Sequence, residues 1–267
     1  MSTLLGRGRD RTGWLRQYHK GPADAPLLVF FPHAGGAATG YFGLSAAVSA
    51  AAQVEAFIVQ YPGRQDRLAE ACPDNIAEMA DRAVEALLPF AEERRLVLFG
   101  HSMGSTVAFE VALRLEARAQ GRGPLGLIVS GRGAASVQTN QGVHLLSDED
   151  MTASMAALSG TPAALLADKD LMAAVLPALR ADFKASELYQ GTPGAQTRCP
   201  ISAYSGKADR GVPVDELLQW REHTTGEFKA RFFEGGHFYL QPREQEVSRS
   251  ILDDVHAFST GALVGSR

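Results

Sequence analysis

The chain has 267 residues, 45% of them hydrophobic, which is enough for one large α/β domain or two small ones with a substantial core. A net charge of −4 at pH 7 gives no general attraction to nucleic acid or to an anionic lipid surface. The two cysteines, Cys72 and Cys199, stand far apart without metal-ligand spacing, so free thiols and no metal site are expected.

Met1 to Thr12 reads as a loose basic tail. The Arg-rich opening carries no apolar h-region, so no secretory signal is expected. No run approaches the length of a membrane span, and a soluble cytoplasmic protein follows. Trp14 to Tyr18 reads as an edge strand and Gly21-Pro22-Ala23-Asp24 as a turn. Leu27-Leu28-Val29-Phe30-Phe31 is a near-continuous apolar run, the mark of a strand buried on both faces of a mainly parallel sheet. It ends at Pro32-His33-Ala34-Gly35-Gly36. A helix is expected from Tyr41 to Ala51, then a strand from Val54 to Val59 that closes at Tyr61-Pro62-Gly63-Arg64. Asp74 is positioned to cap a helix whose apolar residues Ile76, Met79, Ala80, Ala83, Val84, Leu87 and Leu88 repeat at helical spacing. Arg95 to Phe99 is the next strand. The helix after it carries Val107, Ala108, Val111, Ala112 and Leu115 on one stripe. Gly121-Arg122-Gly123-Pro124 breaks that helix, and Leu125 to Val129 makes another strand.

This alternation with short joints predicts an α/β fold, a doubly wound and mostly parallel sheet. From Gly131 to Tyr189 the alternation stops and Ala/Leu/Met-rich helical segments take over. Ser147-Asp148-Glu149-Asp150 is a capping-box start. Gly160-Thr161-Pro162 breaks the run, and Pro177 is expected to interrupt a helix over Leu171–Ala185. Strands resume at Ile201–Tyr204 and Lys229–Phe233, around a helix at Asp215–His223. A last helix covers Arg243 to Phe258, before a tail from Gly261 to Arg267. The core is therefore 1–130 with 190–267, and 131–189 is an insertion on the C-terminal side of the sheet, where ligands bind in open α/β folds. It reads either as a lid or as a helical pair shielding a sheet edge.

The chemistry centres on Gly100-His101-Ser102-Met103-Gly104. An apolar strand runs into this pentapeptide and a helix leaves it, as a nucleophile elbow requires. A serine hydroxyl needs a general base and a group to orient that base. In α/β-hydrolases the acid and then the histidine follow the serine in the chain. His19, His33 and His101 precede Ser102, and alternation along the strand turns His101 away from it. His144 lies in the insertion, His223 ends a surface helix and His256 lies within the last helix. His237 remains, in the loop Glu234-Gly235-Gly236-His237-Phe238; otherwise it is a plain surface-loop residue. Asp209, just past the Ile201–Tyr204 strand, is the acid. Asp215, Asp253 and Asp254 read as helical, and Asp148, Asp150, Asp168, Asp170 and Asp182 fall in the insertion. The backbone N–H groups of Met103 and Ala34 are the donors for a developing oxyanion, with His33-Ala34-Gly35-Gly36 a short cousin of the H-G-G-G loop of lipases and esterases.

Phe31-Pro32-His33-Ala34-Gly35-Gly36, Tyr61-Pro62-Gly63-Arg64, Gly100-His101-Ser102-Met103-Gly104 and Gly235-Gly236-His237-Phe238 together resemble the type II thioesterases. These accompany polyketide synthases, nonribosomal peptide synthetases and, in animals, fatty-acid synthase. The resemblance runs from about residue 28 to 240. It implies a free-standing, monomeric α/β-hydrolase with a helical lid and no cofactor of its own. The implied substrate is an acyl group on the phosphopantetheine arm of an acyl or peptidyl carrier protein, and the implied role is editing. The same roles carry over: Ser102 nucleophile, His237 base, Asp209 orienter, Ala34 and Met103 oxyanion donors. Ser105 departs from the family, where many relatives have Ala. Carrier proteins are usually acidic, so docking needs a local basic patch, for which Arg64 with Arg67 and Arg94 with Arg95 are candidates; each also reads as a plain solvated charge. The same catalytic set would serve a carboxylesterase or lipase on oxygen esters, or an excised chain-releasing thioesterase. A non-catalytic scaffold would be expected to lack a triad member.

Overall fold

The apolar runs become the strands of one seven-stranded sheet in a computed structural model that describes residues 12–118, 123–157 and 168–261. The predicted basic tail up to residue 11, the Gly160-Thr161-Pro162 break, most of the C-terminal tail, and Gly121 and Arg122 lie outside the described residues. The strands are β1 (Leu15–Arg16), β2 (Leu27–Phe31), β3 (Glu55–Val59), β4 (Leu96–His101), β5 (Gly126–Ser130), β6 (Ile201–Gly206) and β7 (Phe228–Phe233). They lie in the order β1-β3-β2-β4-β5-β6-β7, with β1 antiparallel at one edge and the others parallel. The helices are α1 (Phe42–Ala50), α2 (Ile76–Ala91), α3 (Met103–Arg118), α4 (Asp148–Ala157), α5 (Lys169–Glu187), α6 (Val214–Leu218) and α7 (Glu244–Thr260).

Strand residues alternate between two cores. Leu27, Val29 and Phe31 join Leu96 and Leu98 against α2 and α3, whereas Leu28, Phe30, Val97 and Phe99 face α1 and α7. Both faces are covered, which is why these strands read as continuous apolar runs rather than as alternating ones. Full burial of a side chain such as Phe30, 0% exposed, contributes about 1.5–3 kcal/mol. Among the described residues no helix is long and apolar enough to cross a membrane.

Several local expectations are corrected. The cap of α2 is Asn75, whose side chain accepts the Glu78 N–H at 2.8 Å; Asp74 forms an ion pair with Lys184 of α5 instead. Pro177 does not interrupt its helix, since α5 runs through it from the Asp168 cap to Glu187. The expected Asp215–His223 helix is α6 followed by a 3₁₀ turn over Gln219–His223, where the Trp220 indole N–H donates to the Arg132 carbonyl. The Ser147 cap forms as expected, its hydroxyl accepting the Asp150 N–H at 3.1 Å.

Both α4 and α5 lie between β5 and β6 in the chain, within the expected insertion. A small separate core of Met151, Met172, Leu176 and Leu179 joins them.

Candidate active site

At the junction of β4 and α3, Ser102 has φ of +54°, in the left-handed region that costs a non-glycine residue about 1–2 kcal/mol. The turn is held by the Ser102 N–H, which donates to the Ser130 carbonyl at 2.7 Å, and by the Ser105 N–H, which donates to the Ser102 carbonyl at 2.9 Å. A Cβ on Gly100 would come within 2.2 Å of the Gly104 carbonyl oxygen, and one on Gly104 within 2.0 Å of the Phe31 carbonyl oxygen. Only glycine fits either position. The serine is thus lifted over the C-terminal edge of the sheet at the expected place.

Parallel pairing puts the C-terminal ends of β6 and β7 side by side and brings the two following loops together. The Lys207 N–H donates to the Phe233 carbonyl and the Ala208 N–H to the Gly235 carbonyl, at 2.8 and 2.9 Å. Asp209 and His237 meet there. His237 Nδ1 lies 2.8 Å from Asp209 Oδ2, and the other carboxylate oxygen accepts the Gly211 N–H at 3.0 Å. The Asp209 side chain is 2% exposed, so its carboxylate is held rather than solvated. With a carboxylate beside Nδ1, the proton of a neutral imidazole belongs on Nδ1, and the Nε2 lone pair is free to accept one. Ser102, His237 and Ala34 line one cavity of about 140 Å³, which Phe183 and Ser186 of α5 also line. A serine and a carboxylate-oriented imidazole on one cavity wall can carry out acyl transfer.

Two further imidazoles adjoin His237. His101 is buried with its ring centroid 5.1 Å from that of His237, and its Nδ1 lies 2.9 Å from the Ser130 hydroxyl. His33 lies beyond it, 5.9 Å from His101 between centroids. Burial, and then the charges of His237 and Arg64, push the His33 imidazole down to about 3. Burial, with His237 and His33, holds His101 well below the usual range. Both are neutral at neutral pH.

Ala34 sits in the loop after β2, where the Gly36 N–H donates to the His33 carbonyl at 2.8 Å and Gly35 has φ of +71°. Met103 is the first residue of α3, so its N–H has no intrahelical acceptor, while its side chain is 1% exposed in the core.

Burial overturns Arg64 and Arg67 as a surface basic patch. Arg64 and Arg67 are 6% and 8% exposed, paired with Asp182 and Glu70. Arg94 pairs with Glu55 and donates to the Ala25 carbonyl, and Arg95 precedes β4, so this pair lies at the end of the sheet opposite Ser102. His223 is also not a surface residue; it is 5% exposed, bonded to the Ala195 carbonyl and Ser136.

Two residues near the site were named in the sequence but given no role by it. The Ser105 hydroxyl ties the end of β4 to the end of β5. Asp182 of α5 is 0% exposed and accepts the Gly35 N–H at 2.7 Å. It was readable in one respect: a charged residue at position 182 continues the apolar stripe of Met172, Leu176 and Leu179.

Comparison with known proteins places the chain in one family. Residues 1–258 match the family model described as "Thioesterase domain". The chain is 45% identical over 240 residues to "Thioesterase PikA5" of Streptomyces venezuelae, covering 90% of this chain and 84% of that one. It is 43% identical to a "Probable cadicidin biosynthesis thioesterase" of Streptomyces griseus, covering 91% of this chain and 66% of that one. Among solved structures, the type II thioesterase BorB from the borrelidin biosynthetic cluster superposes with a TM-score of 0.82 at 42% identity, covering 91% of this chain and 97% of that one.

Proposed function

We propose, from the premise that the chain belongs to the thioesterase domain family, that it hydrolyses acyl thioesters on the phosphopantetheine arm of carrier proteins, clearing stalled acyl groups from a polyketide or nonribosomal peptide assembly line. The observation that carries the chemistry is the Asp209–His237 pair, 2.8 Å apart, with His237 lining the same cavity as the elbow serine. The names of the relatives support the pathway.

In this reading His237 Nε2 takes the Ser102 proton as the hydroxyl oxygen attacks the thioester carbonyl. Asp209 holds the tautomer and stabilises the imidazolium. The oxyanion lies between the N–H groups of Ala34 and Met103. The tetrahedral intermediate collapses by breaking the carbon–sulfur bond, and the pantetheine thiolate leaves and takes the proton from His237. Water then attacks the Ser102 ester and gives its proton to His237. The second collapse releases the acid, and Ser102 recovers its proton. The segment containing α4 and α5 acts as the lid over this cavity.

Turnover against acyl-loaded carrier proteins of graded chain length, beside matched pantetheine thioesters and oxygen esters, tests the proposal. Wild type should prefer the thioesters. Ser102→Ala should lose turnover and fluorophosphonate labelling without losing its fold. Asp209→Asn should lower kcat by roughly 10⁴. Faster turnover of oxygen esters would make the protein a carboxylesterase, and full activity in Ser102→Ala would end the scheme.

A further inference from the structure

The loop that carries Ala34 is held from three sides. Tyr61 donates its hydroxyl proton to the Pro32 carbonyl at 3.4 Å. Gln60, the residue before the Tyr61-Pro62-Gly63-Arg64 motif, accepts the Ala38 N–H at 2.7 Å. The third hold comes from α5. Asp182 Oδ2 accepts both the Gly35 N–H at 2.7 Å and an Arg64 guanidinium N–H at 2.5 Å. Leu179, one turn earlier on the same helix face, packs so closely on Gly35 that a Cβ there would lie 2.7 Å from Leu179 Cδ1.

These bonds fix consecutive peptide planes. In a trans peptide the carbonyl and N–H point in opposite directions. The Gly36 bond to the His33 carbonyl therefore aims the Ala34 N–H, and the Asp182 bond to the Gly35 N–H fixes the next plane. Without the second, rotation about Ala34 would let the first drift. The charge matters too. A lone buried carboxylate beside a forming oxyanion would oppose it, and Arg64, buried with it, makes the pair neutral as a unit. Burial still pushes the Asp182 carboxyl above the usual range, against the pull of Arg64 and the Gly35 N–H.

We propose that Asp182, neutralised by Arg64, is a positioning residue for the oxyanion loop, so that the lid helix α5 completes the catalytic site as well as covering it. The inference rests on the reading of Ser102 as nucleophile and Ala34 as oxyanion donor.

Two double variants isolate the Gly35 bond. Arg64→Met/Asp182→Asn removes both charges and keeps an acceptor oxygen. Arg64→Met/Asp182→Leu removes the charges and the acceptor at similar volume. On a short acyl-pantetheine thioester the Leu variant should show kcat lower than the Asn variant by about tenfold to a hundredfold, with KM within about twofold. A peptidyl boronate, whose adduct with Ser102 places an oxygen where the oxyanion forms, should bind the Leu variant more weakly by a matching factor. The thermal midpoint of the Leu variant should equal or exceed that of the Asn variant. A purely structural role would move stability and leave this divergence absent. Equal kcat and equal boronate affinity in the two variants would overturn the proposal. If neither folds, Asp182→Ala alone, which removes the acceptor of the Gly35 N–H, gives the same two readouts against wild type, and a loss of stability with unchanged kcat and boronate affinity would overturn the proposal. Absence of Ser102-dependent turnover in wild type would instead overturn the reading of the site itself.

Discussion

The hydroxyl of Ser105 stands 2.9 Å from the Gly100 carbonyl and 3.0 Å from the Ser130 carbonyl, and accepts the Ser130 N–H at 3.0 Å. Alanine there would leave a buried N–H without its acceptor. Ser105→Ala should lower the unfolding free energy by about 1–3 kcal/mol in a urea titration. A change below a few tenths would show that the backbone relaxes to fill the gap. That Ser102 and His237 meet at one cavity, with Asp209 beside His237, was legible in the sequence because strand ends on one edge must converge. Ser105 and Asp182 were not, because each acts through a partner distant in the chain: Ser130 is 25 residues from Ser105, and Gly35 is 147 from Asp182. Local pattern contains neither distance.

At the scale of elements, the alternation of apolar runs with amphipathic stretches was enough to place β2 to β7 and the long helices, most plainly for strands such as β2 and β4, whose burial on both faces leaves an unmistakable run. What failed were rules that look only at neighbours. Proline is a helix breaker when nothing else decides; in α5 the burial of Met172, Leu176 and Leu179, each at most 7% exposed, outweighs it. The helix retains Pro177 at the cost of the hydrogen bond that residue 177 would have donated to Ala173. Pro177→Ala should therefore raise stability by about 1–3 kcal/mol, part of the gain being offset by a looser unfolded chain. Thermal and urea unfolding measure this, and destabilisation would mean that the helix depends on a proline-induced bend.

For the molecule as a whole, buried neutral imidazoles couple folding to pH. His33 titrates at about 3 in the folded state and His101 well below its ordinary value, whereas both sit near 6.5 in an unfolded chain. The unfolded state thus binds more protons in between, and this contribution is complete above about pH 6.5 and is lost as pH falls towards 3. The thermal midpoint should be nearly flat from pH 8 to 7 and then fall, and His33→Asn should make the fall shallower; an unchanged slope would remove His33 from the account. Charge counting at this scale misled for a related reason: it registers Arg64 and Arg67 as surface cations, while folding places both inside. The buried Arg64–Asp182 pair also bears on how such proteins are recombined. Residues 131–189 look like a module that could be exchanged between relatives to alter acyl preference. A chimera joined at those points separates Asp182 from the Arg64 and Gly35 it serves. The incoming segment must bring a carboxylate at the equivalent helix position, or the recipient must be rebuilt at residue 64. Otherwise the graft changes reactivity at Ser102 along with selectivity, and a slow chimera would be misjudged as one that refuses its substrate.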